Sequence, residues 1–207
     1  MDWTEIVKII ITSVTSIIVA LISGGIVKNL LDRRKAKDSR KKLIKHLETA
    51  EIIHFALREL RRLYSCDRIY IVQYHNGGNF YTESSMQRSS MTYERCSDGI
   101  TRMSERYQNI LVSHFTWYIR QMMDGKMFYS DVNKIEDLAT RAFLTSHATF
   151  SHVACPIFDR DKHLIGFIGL DWVFSDLPTD VVDEEGKFKE EFIKDITREA
   201  LSLSSQL

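Results

Sequence analysis

The residues best suited to hold a small molecule lie between positions 74 and 94. Tyr74, His75, Asn76, Ser90, Tyr93 and Glu94, with Phe80, Tyr81, Ser89 and Met91 among them, mix aromatic faces with hydrogen-bonding tips. They follow directly on a β-branched, aromatic run at residues 68–74. Apolar walls with a few convergent polar tips are what a pocket for a small polar ligand requires. Trp172, beside Asp171, is a further candidate for the wall. The competing reading is an ordinary loop, in which Asn76-Gly77-Gly78 makes a turn and the aromatic rings pack on a sheet.

Other chemistry finds less support. His75, His147, His152, His163 and Asp171 are the candidate metal ligands, but no pair has the spacing of a zinc site, so no metal is expected. Cys66, Cys96 and Cys155 are odd in number and widely spaced, which speaks against a disulfide scaffold and for a reducing compartment. Cys155, inside an apolar strand, reads as a core residue. There is no G-x-S-x-G, no phosphate-binding loop and no kinase signature. No catalytic residue and no cofactor is therefore assigned, and the chain is expected to be non-enzymatic.

The elements that must position these residues form an α+β pattern. Residues 41–64 repeat apolar side chains at helical spacing, including Leu43, Leu47, Ala50, Leu57 and Tyr64. Residues 68–74 are a strand that ends in the His75-Asn76-Gly77-Gly78 turn, where Asn and Gly tolerate positive φ. Residues 79–98 read as irregular, residues 100–123 as a helix capped by Gly125, and residues 127–130 as a short strand. A short helix is expected over 134–144. The strongest β signal is a hairpin of residues 152–158 and 164–173 around a charged turn, with Gly166 and Gly169 marking a bulge or a close backbone approach. An amphipathic helix over 187–203 carries Phe188, Phe192, Ile196 and Leu203 on one face.

Ahead of this domain, residues 9–27 form an uncharged run of 19 residues. As a helix it covers roughly 28 Å, close to the ~30 Å hydrocarbon core of a bilayer. From Lys28 to Lys45 nine basic residues face only Asp32 and Asp38, an excess of seven positive charges on the C-terminal side of the run. The positive-inside rule then predicts a single-pass protein, in a bacterial inner membrane, with its N-terminus outside and its large C-terminal part cytosolic. Arg33, Arg34, Lys35 and Lys37 are read as contacts to anionic lipid headgroups, because they adjoin the span, and no nucleic-acid partner is expected. Thr12, Ser16, Ala20 and Gly24 recur every four residues, the spacing that lets membrane helices approach closely, so a homo-oligomer is expected. With no Gly or Pro over 29–75, the membrane helix is expected to run on into the domain as a stalk. The organisation is thus an anchor over 1–28, a basic juxtamembrane segment over 29–42 and one domain over 43–207.

Composition sets the outer limits. The chain has 207 residues, enough for one ordinary domain and an appendage. Its 44% hydrophobic content, 9 Gly and 2 Pro exclude collagen-like and disordered classes. Lys+Arg and Asp+Glu are both 28, but the zero sum hides the basic cluster after the span.

Over roughly residues 40–207 the pattern resembles a GAF domain, the sensory fold related to PAS. The carrying residues are 68–75 as the first central strand, Val153-Ala154-Cys155-Pro156-Ile157, and Leu164-Ile165-Gly166-Phe167-Ile168-Gly169-Leu170. The resemblance implies a central antiparallel sheet flanked by helices. It also implies a pocket over the sheet for a cyclic nucleotide, tetrapyrrole, metal or small metabolite, or a domain that only dimerises. Bilin attachment of the cyanobacteriochrome kind needs a suitably placed cysteine, and none of the three here sits in such a motif; the cyclic-nucleotide signature is absent too. The expected function is a membrane-anchored cytosolic sensory module that binds a small ligand or a protein partner and acts through oligomerisation. A looser resemblance is to small phage-encoded single-pass proteins with an HNG turn, holins included. It implies a self-assembling membrane protein with this domain as scaffold, although the domain of that holin group lies outside the cytosol, whereas the flanking charges here point inward.

Overall fold

A computed structural model describes residues 2–79 and 85–207. They divide into two units, Met1–Glu48 and Thr49–Leu207, joined within helix α1 (Trp3–Leu63).

In the first unit every residue of α1 whose burial is described is exposed except Ile6, which is half-buried. Its stretch Trp3–Ala20 is long and apolar enough to cross a membrane by length and composition, and none of it is buried. The hydroxyls there turn back onto their own helix. Thr12 Oγ1 donates to the Lys8 carbonyl at 2.5 Å, Ser13 Oγ to Ile9 at 2.8 Å and Thr15 Oγ1 to Ile11 at 2.8 Å. This satisfies polar groups that apolar surroundings would otherwise penalise. Thr12, Ser16, Ala20 and Gly24 are all exposed, as are Arg33, Arg34, Lys35 and Lys37.

The second unit is built on an antiparallel sheet. Its strands are β1 (Arg68–Asn79), β2 (Ser85–Cys96), the two-residue β3 (Ile110–Leu111), β4 (Phe128–Asp131), β5 (Ser151–Phe158) and β6 (Leu164–Trp172). Their spatial order is β3-β2-β1-β6-β5-β4. Side chains alternate across a sheet, and here both sides are covered. On one side Ile69, Ile71, Val153, Ile157, Ile168, Leu170 and Trp172 pack against Ile53, Leu57 and Leu60 of α1 and against Phe192 and Ile196 of α4 (Glu190–Ser204). On the other side Tyr70, Val72, Met91 and Phe167 meet Tyr118 and Met122 of α2 (Thr116–Met123). α3 (Leu138–Thr145) adds a small cluster of its Leu144 with Val132 and Ile135.

Four local expectations are corrected. Residues 79–98 are mostly strand: β2 pairs with β1 from Asn79↔Ser85 to Arg68↔Cys96, because the partner strand supplies the hydrogen bonds that its polar composition conceals. Asn76-Gly77-Gly78 is not a turn but the end of β1, and of its glycines Gly78 alone has positive φ, +108°. At Gly77 a Cβ would lie 2.2 Å from Cδ of Arg88, so that flexible side chain would have to move. The helix expected over 100–123 shrinks to α2, preceded by irregular chain, β3 and a 3-10 turn at Val112–Phe115. The expected 134–144 helix likewise begins only at Leu138, where the Asp137 carboxylate accepts from the Thr140 N–H at 2.8 Å as N-cap.

The hairpin of β5 and β6 stands where expected. At Gly166 the close approach is literal: a Cβ there would lie 2.1 Å from the Val72 carbonyl oxygen on β1. At Gly169 the ring of Tyr70 occupies the corresponding space, its Cζ 2.3 Å from where a Cβ would stand. Gly125 follows α2 with φ +76°, the left-handed conformation that ends a helix.

Candidate functional site

A cavity opens on the α2 and α3 side of the sheet. Strand alternation brings Tyr70, Val72 and Tyr74 of β1 to one wall, with Ser89 and Met91 of β2 and Phe167 of β6 beside them. The facing wall is Phe115, Tyr118 and Ile119 around α2 and Thr140, Phe143 and Leu144 of α3; Tyr107 and Ile110 close one side. The interior is small. Water-sized spheres can be centred in ≈ 50 Å³ of it, about the room of a few waters. The rings pack edge to face, with Tyr107 and Phe143 centroids 4.4 Å apart and Phe115 and Phe143 5.1 Å apart.

Beside the cavity lies a buried polar layer. Asp171 is its hub: it accepts from Arg68 Nη1 at 2.8 Å, from Thr149 Oγ1 at 3.2 Å and from Tyr70 OH at 3.4 Å, and its Oδ1 lies 2.8 Å from His152 Nδ1. The other nitrogen of that ring, Nε2, is 2.7 Å from the hydroxyl of Tyr118. Glu94 completes the layer, 3.6 Å from Arg68 Nε, and accepts the backbone N–H groups of Met103 and Ser104 at 2.8 and 3.0 Å. Burial alone would raise the Asp171 carboxyl, but the hydrogen bonds and charges of His152 and Arg68 outweigh it and hold it below its ordinary value. Burial pushes the phenols of Tyr70 and Tyr118 well above theirs. At the margin, His147 Nε2 and the Tyr107 hydroxyl lie 2.5 Å apart. Burial, and then the charge of Arg68, push that imidazole down to about 4.

The residues singled out from sequence are dispersed around this site. Tyr74 lines the cavity, and Glu94 belongs to the polar layer. His75 and Ser90 do not line it: His75 Nε2 and Ser90 Oγ are 2.8 Å apart, and Ser90 accepts the Asn109 N–H at 2.9 Å, fastening β2 to the next segment. Asn76 is exposed, its side chain accepting the Gly78 N–H at 3.0 Å. Tyr93 and Trp172 sit on the opposite side of the sheet. Tyr93 meets His54 of α1 edge to face at 5.5 Å, and Trp172 is 1% exposed with its indole N–H donated to the Tyr64 carbonyl at 3.2 Å. Phe80 and Tyr81 lie outside the described residues.

Sequence reasoning passed over Tyr70, Tyr107, Tyr118, Phe143 and Phe167 in the wall and Arg68 in the polar layer, and weighed His152 and Asp171 only as metal ligands. One signal was available: the period of residues 68–74 puts Arg68, Tyr70 and Val72 on the same face as Tyr74. Of the thiols, Cys96 stands beside Glu94 and Arg68 of the polar layer, raised to about 11 by burial and then by the charge of Glu94, while the other two take no part. Cys66 and Cys155 are buried on the α1 and α4 side, where burial raises both, Cys155 to about 12. In the β5–β6 turn, ligand atoms of Asp159, Asp161 and His163 come within 4.8 Å of one another, a spacing that a cation would accept. The turn itself accounts for that grouping, since Asp159 accepts the N–H groups of Asp161 and His163 at 2.9 and 2.8 Å and lies 3.1 Å from the His163 ring.

No family model and no curated protein matches this chain. Solved structures do. The phycocyanobilin-bound GAF domain of a cyanobacterial phytochrome is 17% identical, with a TM-score of 0.58 over 79% of this chain and 86% of that one. The fold is that of a GAF domain. The blue-light-absorbing form of the Thermosynechococcus elongatus PixJ GAF domain is 15% identical, with a TM-score of 0.56 over 78% of this chain and 88% of that one. A far-red cyanobacteriochrome photoreceptor is 13% identical, with a TM-score of 0.56 over 86% of this chain and 95% of that one.

Proposed function

We propose that this chain is a membrane-anchored, non-enzymatic sensory module. Its GAF-fold domain takes a small ligand into the cavity between the sheet, α2 and α3, and the bound state is passed on through α1 and self-association. The observation that carries this reading is the cavity itself: an aromatic-walled space beside a polar layer, in a fold shared with ligand-bound sensor domains. The anchor rests on the uncharged run over 9–27 and the basic residues after it, which favour a cytosolic domain. Self-association rests on the exposed small-residue stripe.

No cysteine is among the described residues that line the cavity, so none of them offers a thiol for covalent attachment of a bilin such as the phycocyanobilin-bound neighbour holds. The ligand of this reading is a smaller one.

The test is a thermal-shift screen of the full chain in detergent against nucleotides, amino acids and small neutral metabolites, repeated on Ile119→Phe, which narrows the cavity. A ligand at a hundred times its dissociation constant stabilises by about 2.7 kcal/mol, roughly 5–11 °C for a domain of this size. At least one compound is expected to raise the wild-type melting temperature and to do so less in the variant. A screen in which nothing raises it defeats the proposal.

A further inference from the structure

The hydroxyl groups in the wall of the cavity are not equivalent. Six side chains there carry one, and five are engaged. Tyr70 donates to Asp171 at 3.4 Å, Ser89 to the Ile110 carbonyl at 3.4 Å, and Thr140 to its N-cap Asp137 at 2.6 Å. Tyr118 is held by His152 at 2.7 Å and Tyr107 by His147 at 2.5 Å. The sixth, Tyr74, has its oxygen buried with no hydrogen-bond partner among the described residues. Burial also raises its phenol above the ordinary value, so it keeps its proton and remains a donor. A buried donor without an acceptor is destabilising, and native structures rarely leave one without a reason.

The rest of the wall says what that donor can meet. Among the described residues no charged side chain lines the cavity. Arg68, the cation of the adjacent polar layer, is already engaged by Asp171 and Glu94. A phosphate or carboxylate entering here would be stripped of water without a cation to replace it, which an apolar site penalises heavily. An uncharged ring or short chain would meet aromatic faces on both walls and leave one polar atom to place. Building on the sensory reading above, we infer that Tyr74 is the hydrogen-bond donor to the ligand of this cavity. That ligand is a small, uncharged, largely apolar molecule with a single acceptor, a ring nitrogen or a carbonyl oxygen.

Pyridine and benzene test this, because they share a ring shape and differ in one acceptor atom, with benzoate as the charged probe. Each is titrated into the full chain in detergent, with the free concentration corrected for uptake by micelles. Binding is followed by NMR of protein labelled with 13C at tyrosine Cζ, on wild type and on Tyr74→Phe. The ratio of pyridine to benzene affinity is expected to fall about tenfold in Tyr74→Phe, the equivalent of about 1.4 kcal/mol for the hydrogen bond. Benzene affinity itself should stay within about twofold, because the phenyl ring and its packing are kept. One wild-type tyrosine resonance, missing from the variant, should move with pyridine and not with benzene. An unchanged ratio overturns the role of Tyr74 while leaving the cavity as a binding site. Benzoate binding more tightly than pyridine overturns the uncharged class. Failure of both rings to bind overturns the inference, and the broader screen then decides separately whether the sensory reading falls with it.

Discussion

Replacing Asp171 with Asn removes one negative charge from the centre of the buried layer and keeps the shape of the side chain. Four groups point at that carboxylate, Arg68 and His152 both at 2.8 Å. An Asn amide can accept from one side only, and its NH₂ would face donors on the other. Arg68, 2% exposed, would keep only Glu94 at 3.6 Å as a charge partner. Breaking a buried ion pair in this way costs about 3–5 kcal/mol, roughly 6–20 °C in melting temperature for a domain of this size. The assay is thermal unfolding of the full chain in detergent, followed by near-ultraviolet circular dichroism, which reports the packing around buried Trp172. Acid provides a second reading. Asp171 is held below its ordinary value of 3.8, so its contribution is present above that pH and is lost as pH falls through the lower folded value. The acid limb of stability should therefore be shallower in Asp171→Asn. The triple replacement Arg68→Met, Glu94→Gln and Asp171→Leu should recover part of the loss, because none of the three charges, Glu94 at 3.6 Å from Arg68 included, is then left buried without a partner. A loss below about 1 kcal/mol in Asp171→Asn, within the range of an ordinary surface change, would refute the view that the Asp171 carboxylate balances the buried charge of Arg68.

Three further outcomes follow from particular contacts. Gly166→Ala should destabilise the domain by about 1–3 kcal/mol or more in thermal unfolding, because the new Cβ would lie 2.1 Å from the Val72 carbonyl of the neighbouring strand. Stability should decline as pH falls from 6.5 towards about 4, since His147 is neutral in the fold with its imidazole pushed down to about 4; His147→Gln should flatten that stretch of the melting-temperature profile. Tyr93→Phe should leave any ligand-induced thermal shift unchanged, because its ring packs on His54 on the side of the sheet away from the cavity; loss of the shift would show that the site is elsewhere.

What the sequence determined on its own is whatever short-range chemistry controls. The uncharged run over 9–27 and its basic flank, the first half of β1, the β5–β6 hairpin and the amphipathic α4 were legible because apolar periodicity and turn residues act within a few positions of one another. The alternation of residues 68–74 even carried the face on which Tyr70 and Tyr74 stand. β2 was hidden because its strand character comes from its partner: residues 85–96 are polar and become a strand by pairing with β1 on one side and β3 on the other. Tyr93, grouped from sequence with the candidate pocket residues, lies on the other face for a specific reason. Tyr93 and Met91 are two apart and would share a face in a regular strand, but the register shifts between them, so that Tyr93 pairs with Ile71 and Met91 with Val72. That irregularity sends Tyr93 towards α1 and Met91 into the cavity. The site itself was decided only in three dimensions. Arg68, Glu94, His152 and Asp171 are brought together from four strands, and Tyr118 reaches them from α2. Which of six similar hydroxyls would be left without a partner depends on where each of the others finds its acceptor, and that is a property of the packed fold rather than of any local stretch of chain.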